Sequence, residues 1–521
     1  MIKIEMPAEE VREVGLIGDF FCGAGGASLG IEQFCGRPVD FAINHDKVAI
    51  GLHSRNHPST YHMTEDIFTT EIENFVSGRK VSLLWASPDC THFSRAKGKT
   101  PRKASIRMLP FAIYFHADKI RPEVICMENV TEIQGWCPIE DREDQPGYGQ
   151  PVKELKGVCY ECFVSHMTQG RFMPDGRPYD VPKTCKYFCD KCQVVKEHYN
   201  HCLGYEMEWK ELCAADYGAP TTRRRWYAIL RCDNRPIRWP LPTHSKEGAG
   251  NLQSWVPASS VLDLEDYGQS IFGRKKPLAE NTLKRIAKGL EKFVFHDEKP
   301  FLIHVNHSGE GFRGQSLEEP LPTLTRKLGM GVVNVKTMEM EQFLLKYYKS
   351  DVGQPLDIPL HTVTTSPGHF GLITVRMADK EASVDENILR KASEVSQFLL
   401  AYYGKDIGQE LDQPLRTIVT KDRFSLVTVV HSNKILLDIC LRMLSPDELK
   451  RGNGFSDDYD ISHDTFWHRI PIHEQTAKIG NAVVPVMAQS IVEANCPYLK
   501  QGERIPFVKI SQEISGQYSF A

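Results

Sequence analysis

The chain has 521 residues, of which 41% are hydrophobic and 25% are charged, which is typical of a globular protein with two or three domains. No apolar stretch reaches the roughly 18 residues of a membrane span, and the N-terminus lacks the layout of a signal peptide, so we expect a cytoplasmic protein without membrane contact. The net charge of −4 excludes a uniformly basic surface, so any nucleic-acid contact must use a local basic patch.

Short apolar runs alternate with helix-like stretches between residues 14 and 135. The runs at 14–21, 39–43, 81–86 and 124–127 predict buried strands. Strands separated by helices indicate an α/β fold with a parallel, Rossmann-like sheet. Such sheets bind ligands beyond the carboxyl ends of their strands, which is where the next three segments lie.

The first segment, Phe21-Cys22-Gly23-Ala24-Gly25-Gly26, follows a predicted strand and opens a predicted helix. Glycines at such a place let the backbone turn tightly and approach a cofactor. The spacing lacks the full dinucleotide fingerprint, so a purely structural turn is the alternative.

The second segment contains Cys90, which follows the strand at 81–86 in a Ser-Pro-Asp-Cys turn. A lone cysteine is usually a core thiol, but a strand end followed by a basic loop favours a reactive thiolate. Asp89 tends to raise the pKa of this thiol, and a nearby Arg225 would offset that effect. The basic loop is either solvated or a flap on the phosphate backbone, and its acid-free stretch contains Arg95, Lys97, Lys99, Arg102, Lys103 and Arg107.

The third segment contains Glu128, directly after the strand at 124–127. Beside Cys90, this carboxyl group can hold a proton on a ring nitrogen of a nucleobase during attack. Further along, Arg223 and Arg225 alternate on a predicted strand and therefore face one side. One can pair with Glu128 and the other with a base carbonyl or a phosphate.

Residues 137–205 form a cysteine-rich insertion. Two C-x-x-C pairs predict a structural, tetrahedral Zn²⁺ site with the ligands Cys159, Cys162, Cys189 and Cys192. A different set of four or a second ion that uses Cys185, His198, His201 or Cys202 is one alternative, and metal-free thiols are another.

Residues 246–435 contain an internal repeat, with copies near 301–335, 342–375 and 397–429. Pro359-Leu360-His361-Thr362-Val363 recurs as Pro414-Leu415-Arg416-Thr417-Ile418, with a looser copy at 320–324. The copies are strand-rich, and they are either a β scaffold or a module that reads DNA. The reading residues would lie before the last strand of each copy, at Arg326, Lys327, His369, Lys421, Asp422 and Arg423.

Helical sequence returns after residue 435, so we predict one domain from 1–245 and 436–521 and a second from 246–435. Taken together, the order of the segments resembles the cytosine-5 DNA methyltransferase family of bacteria and phages. The segments are Asp19–Gly26, Ser87–Ser94, Met127–Val130, Thr221–Arg225 and Ile479–Pro485. This chain departs from the family pattern where Asp89 replaces the usual Pro, and Thr91 and Thr221 replace Gln.

The resemblance implies that the cofactor is S-adenosylmethionine. Asp66 and Ile67 would hold the adenine, and either Asn44 or Asp46 would bind the ribose. The remaining implied cofactor residues are Phe21, Gly23, Ala24, Gly25, Gly26, Pro88, Asn481, Ala482 and Val483.

The resemblance further implies methyl transfer to C5 of a cytosine flipped out of a specific duplex DNA sequence, through a covalent bond between Cys90 and C6. The catalytic residues would be Cys90, Glu128, Arg223 and Arg225, and the DNA-binding residues Arg95, Lys97, Lys99, Arg102, Lys103, Arg326, Lys421 and Arg423. A tRNA cytosine-5 methyltransferase and an inactive DNA-binding regulator are the alternatives. We expect a monomer that acts near the bacterial nucleoid or in a phage-infected host, and a cognate restriction endonuclease remains open.

Overall fold

The computed structural model describes most of the chain outside two long gaps and several short ones. The described residues are 14–93, 101–140, 143–144, 147–168, 201–263, 265–266, 268–289, 301–304, 313–324, 329–339, 342–346, 354–355, 370–374, 434–500, 510–512 and 518–520. The chain divides into two compact units. Unit 1 comprises Met1–Val256, Pro320–Lys327 and Leu449–Ala521, and unit 2 comprises Pro257–Glu319 and Leu328–Glu448.

Unit 1 is built on a seven-stranded sheet in the order β3-β2-β1-β4-β5-β7-β6. Its strands are β1 (Leu16–Phe20), β2 (Phe41–Ile43), β3 (Tyr61–Met63), β4 (Val81–Ala86), β5 (Val124–Asn129), β6 (Glu206–Cys213) and β7 (Arg224–Arg231). The first five strands are parallel, as predicted, while β7 runs antiparallel to β5 and β6 antiparallel to β7. A mixed α/β sheet of this kind fits a Rossmann-like fold.

The described α-helices are interspersed with the strands along the chain. They are α1 (Gly26–Cys35), α2 (Lys47–Asn56), α3 (Ile72–Val76), α4 (Ala104–Arg107), α5 (Leu109–Ile120), α6 (Val158–Met167), α7 (Glu280–Gly289), α8 (Pro446–Gly452), α9 (Ile472–Asn481) and α10 (Pro485–Asn495). None of them is long and apolar enough to cross a membrane.

Both faces of the sheet are covered, because alternate residues of its central strands enter two separate cores. Phe20 and Leu84 pack with residues of α5 and α6, whereas Ile17 and Trp85 pack with residues of α1 and α10. Strands buried on both faces are expected to be mainly apolar, as β1 and β4 are apart from the buried Asp19 and Ser82.

The sequence between 475 and 495 resembles a single final helix, and this prediction is wrong. The structure contains two helices, α9 and α10, separated by Ala482–Val484. Pro485 accounts for the break, because proline disfavours helical backbone in the preceding residue, and Val484 is extended at φ −74° and ψ 120°. The break follows Asn481, the last residue of α9, and places Val483 against Gly26 of the glycine-rich loop.

Unit 2 contains an antiparallel five-stranded sheet in the order β10-β17-β13-β11-β12, and a three-stranded sheet in the order β15-β14-β16. The strands are β10 (Gln269–Ser270), β11 (Phe301–His304), β12 (Gly314–Ser316), β13 (Met330–Glu339), β14 (Gln342–Lys346), β15 (Gln354–Pro355), β16 (Phe370–Thr374) and β17 (Lys434–Met443). Two short strand pairs lie in unit 1, β8 (His244–Ser245) with β9 (Gln253–Ser254) and β18 (Ile510–Gln512) with β19 (Tyr518–Phe520).

The first two copies of the repeat share one pairing scheme. Phe301 of β11 lies opposite Val333 on one side and Ser316 on the other. Its counterpart Phe343 of β14 lies opposite Ile373 and Pro355. The third copy lies outside the described residues. The segment Pro320–Lys327 of the first copy belongs to unit 1, which the sequence did not predict.

Candidate functional site

The turn that contains Cys90 lies where the carboxyl ends of three parallel strands meet. Ala86 at the end of β4 lies opposite Phe20 of β1 and Met127 of β5, so the residues that follow all three strands share one edge. Cys90 is partly buried there. Burial raises the pKa of its thiol, and Glu128 and Asp89 act in the same direction, while Arg225 and then Arg223 lower it. Arg225 therefore opposes the effect of Asp89 on the pKa of Cys90, as expected from the sequence.

Asp89 replaces proline by building its own turn. Its Oδ1 accepts hydrogen bonds from the backbone N–H of Thr91 at 2.6 Å and from the Thr91 hydroxyl at 2.5 Å. Asp89 and Thr91, the two residues of this turn that depart from the family pattern, are thus hydrogen-bonded to each other.

Asn129 holds the same turn from the neighbouring strand. Its side-chain N–H donates to the Pro88 carbonyl at 2.9 Å, and its own carbonyl accepts from the Val130 N–H. Asn129 is fully buried. Sequence reasoning did not select this residue, although it stands beside Glu128 in the Glu-Asn-Val motif.

Glu128 lies at the end of β5, paired with Arg225 of β7. Arg225 Nε lies 3.1 Å from Glu128 Oε1, and an Arg223 terminal nitrogen lies 3.9 Å from the same oxygen. Arg223 and Arg225 are buried while Arg224 is exposed, which is the alternation expected of a strand. Burial, together with the adjacent Arg225, lowers the pKa of Arg223 to about 10.

Arg223 also contacts two backbone carbonyls from distant parts of the chain. Its NH1 group donates to Gly480 at 3.0 Å and to Leu324 at 3.4 Å. Leu324 is positioned because the Leu321 N–H donates to Pro220 and the Thr222 N–H donates to Leu321, both at 2.7 Å. A segment of the first repeat copy therefore lies beside Arg223.

The glycine-rich loop connects β1 to α1 through backbone conformations that favour glycine. Phe21, Gly23 and Gly25 have φ values of 61°, 54° and 82°. A Cβ on Gly26 would lie 2.0 Å from the Val483 carbonyl oxygen. Only glycine at this position lets the loop pack directly against the Ala482-Val483 segment.

The two candidates for the ribose contact differ in what already binds them. Asp46 caps α2 by accepting hydrogen bonds from Val48 and Ala49, and it pairs with Lys478. This ion pair contributes to lowering the pKa of Asp46. The side-chain oxygen of Asn44 accepts a hydrogen bond from the Asp46 N–H at 3.0 Å, and its side-chain NH2 group donates no hydrogen bond within the described residues. Asn44 is thus the freer of the two groups.

The residues expected to hold the adenine lie after β3. Asp66 is exposed, and its Oδ1 accepts from the Phe68 N–H at 3.0 Å. Ile67 is buried, and its carbonyl accepts from His116 Nε2 at 2.6 Å. The turn is therefore fixed while the Asp66 side chain remains accessible.

A family profile described as C-5 cytosine-specific DNA methylase matches residues 16–136 and 190–495. The chain belongs to this family. Its activity is that of a DNA cytosine-5 methyltransferase, as the resemblance predicted. A Type II methyltransferase of Thalassovita gelatinovora, M.AgeI, is 23% identical over 492 residues, which cover 91% of this chain and 97% of that protein.

Two solved methyltransferase structures also resemble the chain, at TM-scores too low to support an argument. A putative prophage DNA modification methyltransferase of E. coli is 17% identical at a TM-score of 0.39, covering 93% of this chain and 99% of that one. The Entamoeba histolytica methyltransferase EhMeth is 13% identical at a TM-score of 0.42, covering 94% and 99%.

The basic loop of this methylase is described only at its end. Arg102 donates to the Gln150 side chain at 3.1 Å, and the Lys103 N–H donates to His92 Nδ1 at 2.7 Å. Arg107 is buried and donates to the His92 and Cys137 carbonyls, so it supports the loop rather than binding phosphate. The other predicted DNA contacts lie outside the described residues, at Arg95, Lys97, Lys99, Arg326, Lys327, His369, Lys421, Asp422 and Arg423.

The predicted zinc site of the methylase is not supported by the part of the insertion that the structure describes. Cys159 and Cys162 lie one turn apart on α6 and are buried in the core, rather than in a knuckle. No group of three or more His, Cys, Asp or Glu among the described residues is arranged to hold a metal ion. Cys189 and Cys192 lie outside the described residues, so their part in the site stays a prediction.

Proposed function

We propose that this methylase transfers a methyl group from S-adenosylmethionine to C5 of a cytosine flipped out of a specific duplex DNA sequence. The observation that carries the proposal is the polar cluster around Cys90. Glu128 Oε1 forms ion pairs with Arg225 Nε at 3.1 Å and with Arg223 NH2 at 3.9 Å, but neither these atoms nor Arg223 Nε has a hydrogen bond in the described part of the chain. Buried polar atoms normally have hydrogen-bond partners, and the edge of a cytosine would supply them.

The reaction would begin when the Cys90 thiol loses its proton, with Arg225 and Arg223 stabilising the thiolate. Its sulfur would then form a bond to C6 of the base. Glu128 would hold a proton at N3, so that the ring electrons displaced by the attack do not build up charge there. Electron density would pass to C5, which takes the methyl group as S-adenosylhomocysteine leaves. Water would then take the C5 proton, and the electrons of that C–H bond would re-form the C5–C6 double bond and expel Cys90 as a thiolate, which releases 5-methylcytosine.

S-adenosylmethionine supplies the electrophilic methyl group when it is bound. The residues that would hold it surround the glycine-rich loop, where no side chain caps the N-terminus of α1. The N–H groups of the first turn of α1 can therefore donate hydrogen bonds to a carboxylate. Asn44 is our candidate for the ribose, and Asp66 with Ile67 for the adenine. Val483, in contact with Gly26, would close the site.

The DNA-reading role falls to the repeat module. M.AgeI is a Type II methyltransferase, and we propose that this chain modifies one short duplex sequence. The anchored Pro320–Leu324 segment supports this assignment, because Leu324, just before Arg326, accepts a hydrogen bond from the Arg223 side chain. The bases themselves would be read by Arg326 and its counterparts in the other copies.

The test is base-resolution bisulfite sequencing of unmethylated plasmid treated with S-adenosylmethionine and the wild-type, Cys90→Ser or Cys232→Ser protein. Cys232 is a matched control, since it is also a partly buried thiol but donates to the Pro122 carbonyl. We expect protected cytosines in one short motif with wild-type and Cys232→Ser, and none with Cys90→Ser. Protection by Cys90→Ser would overturn the covalent mechanism. Methylation of tRNA but not of duplex DNA would favour the tRNA enzyme, and binding of duplex DNA without methylation of either would favour the inactive regulator.

A further inference from the structure

A chain of buried polar side chains ends on the backbone of the glycine-rich loop. The Tyr459 hydroxyl donates to the Ala24 carbonyl at 2.6 Å. His57 Nε2 lies 3.0 Å from the same hydroxyl, and His57 Nδ1 lies 2.9 Å from Glu32 Oε2. We call Glu32, His57 and Tyr459 the loop relay. It joins α1, the end of α2 and the segment after α8.

The proton count along the loop relay gives it a direction. Tyr459 has one hydroxyl proton, and the Ala24 carbonyl can only accept. His57 must therefore donate from Nε2 to Tyr459, while its Nδ1 faces Glu32 Oε2. The loop relay thus runs in one direction, from the Glu32 carboxyl group through the imidazole ring to the hydroxyl that binds the loop.

The loop relay is packed against the glycine that makes its contact possible. A Cβ on Gly25 would lie 2.2 Å from the Tyr459 oxygen and 2.7 Å from His57 Nε2. Tyr459 and His57 are 4% and 2% exposed. The backbone of Tyr459 is itself held, since Lys450 Nζ donates to its carbonyl at 3.1 Å. The hydroxyl is thus presented to Ala24 from a fixed position.

A glycine-rich loop needs such support, because glycine loses more backbone freedom on ordering than any other residue. Ordering the loop before the ligand arrives lowers the free-energy cost of binding. We propose that Glu32, His57 and Tyr459 are positioning residues that fix the Ala24 carbonyl and so preset the glycine-rich loop for S-adenosylmethionine. The inference rests on the proposed function, in which this loop holds that cofactor.

The test compares Tyr459→Phe with Tyr205→Phe by calorimetric titration of S-adenosylmethionine and by steady-state kinetics. Tyr205 is a matched control, because its buried hydroxyl also donates to a backbone carbonyl, that of Pro122, at 2.7 Å. Loss of one hydrogen bond should raise the Kd of Tyr459→Phe for S-adenosylmethionine about three- to tenfold. The KM for the cofactor should rise by a similar factor, with kcat at saturation little changed. Glu32→Gln should shift both constants the same way by less.

Tyr205→Phe should keep the wild-type Kd even if it loses thermal stability. The loop relay is overturned if Tyr459→Phe binds as tightly as wild type, or if both phenylalanine variants weaken binding equally. A fall in kcat with an unchanged KM would also overturn it, because a preset loop acts on binding. Wild-type protein that does not bind S-adenosylmethionine would instead overturn the cofactor assignment, and the role of the relay with it.

Discussion

Breaking the ion pair between Arg225 and Glu128 should remove both stability and activity. Their side chains are 10% and 5% exposed, with Arg225 Nε 3.1 Å from Glu128 Oε1. Removing one partner of a buried pair typically costs about 3–5 kcal/mol, because the other charge is left uncompensated. Here Arg223 remains 3.9 Å from the same oxygen, so we expect the lower end, about 3 kcal/mol, for Arg225→Gln.

The magnitude is measured by urea unfolding of four proteins, namely wild type, Arg225→Gln, Glu128→Gln and the double variant. If the two groups act as a pair, the double variant should lose less than the two single losses added, by about 2 kcal/mol. Arg225 is also the charge that most lowers the pKa of Cys90. Arg225→Gln should therefore slow methyl transfer and move the rise of its pH–rate profile to higher pH.

The control is the second buried pair of the same strand. Arg231 NH2 lies 2.8 Å from Asp233 Oδ2, with side chains 3% and 5% exposed, away from Cys90. Arg231→Gln should lose comparable stability and retain methyl transfer in the folded protein. Strictly additive losses in the four-protein cycle, or equal inactivation by Arg231→Gln, would refute the reasoning.

Three further variants test burial, loop geometry and packing. Burial raises the pKa of Asp19 from 3.8 to about 7, so the contribution of this group to stability should fall as pH rises from about 4 to 7, by up to roughly 4 kcal/mol; in urea unfolding, the free energy of unfolding of Asp19→Asn relative to wild type should therefore increase over this range. Gly25→Ala should abolish calorimetric binding of S-adenosylmethionine, because the new Cβ would collide with the Tyr459 hydroxyl. Gly36→Ala, which is also at positive φ but has open space around it, should keep this binding and lose only about 1 kcal/mol of the free energy of unfolding. Leu321→Ala should lower the free energy of unfolding by about 2–5 kcal/mol, since Leu321 is fully buried, and an unchanged value would show that the segment is not anchored.

The part of the site that follows strand ends could be predicted from the sequence. Apolar runs reveal buried strands, and parallel strands bring the residues after them to one edge. For this reason Glu128 lies close enough to Cys90 for its charge to act on the thiol, although the two residues are 38 positions apart in the chain. The alternation of Arg223 and Arg225 follows equally from the strand period. These features depend on local pattern and on one topological rule.

Other features depend on contacts that leave no local pattern. A carboxylate after β2 has the chemistry to bind ribose, but only the structure shows that Asp46 caps α2 and pairs with Lys478. The first C-x-x-C pair has metal-ligand spacing, but the same spacing places Cys159 and Cys162 on one face of a buried helix. The carbonyl of Leu324 has no side-chain signature at all. The hydrogen bond that it accepts from Arg223 could therefore not be predicted from the sequence.

Arg223 is one of the residues that hold the Pro320–Lys327 segment of the first repeat copy within unit 1. Its guanidinium is planar and rigid, so the Leu324 and Gly480 carbonyls that share NH1 must keep a fixed separation. Gly480 leads into the predicted cofactor segment, and Leu324 leads into the predicted DNA-reading residues. The same side chain faces Glu128, so residues proposed for catalysis, cofactor binding and DNA reading would be linked through one cation. Because NH1 has at most two hydrogens and both acceptors are in place, another Pro-Leu-x-Thr copy could bind NH1 only by displacing Leu324.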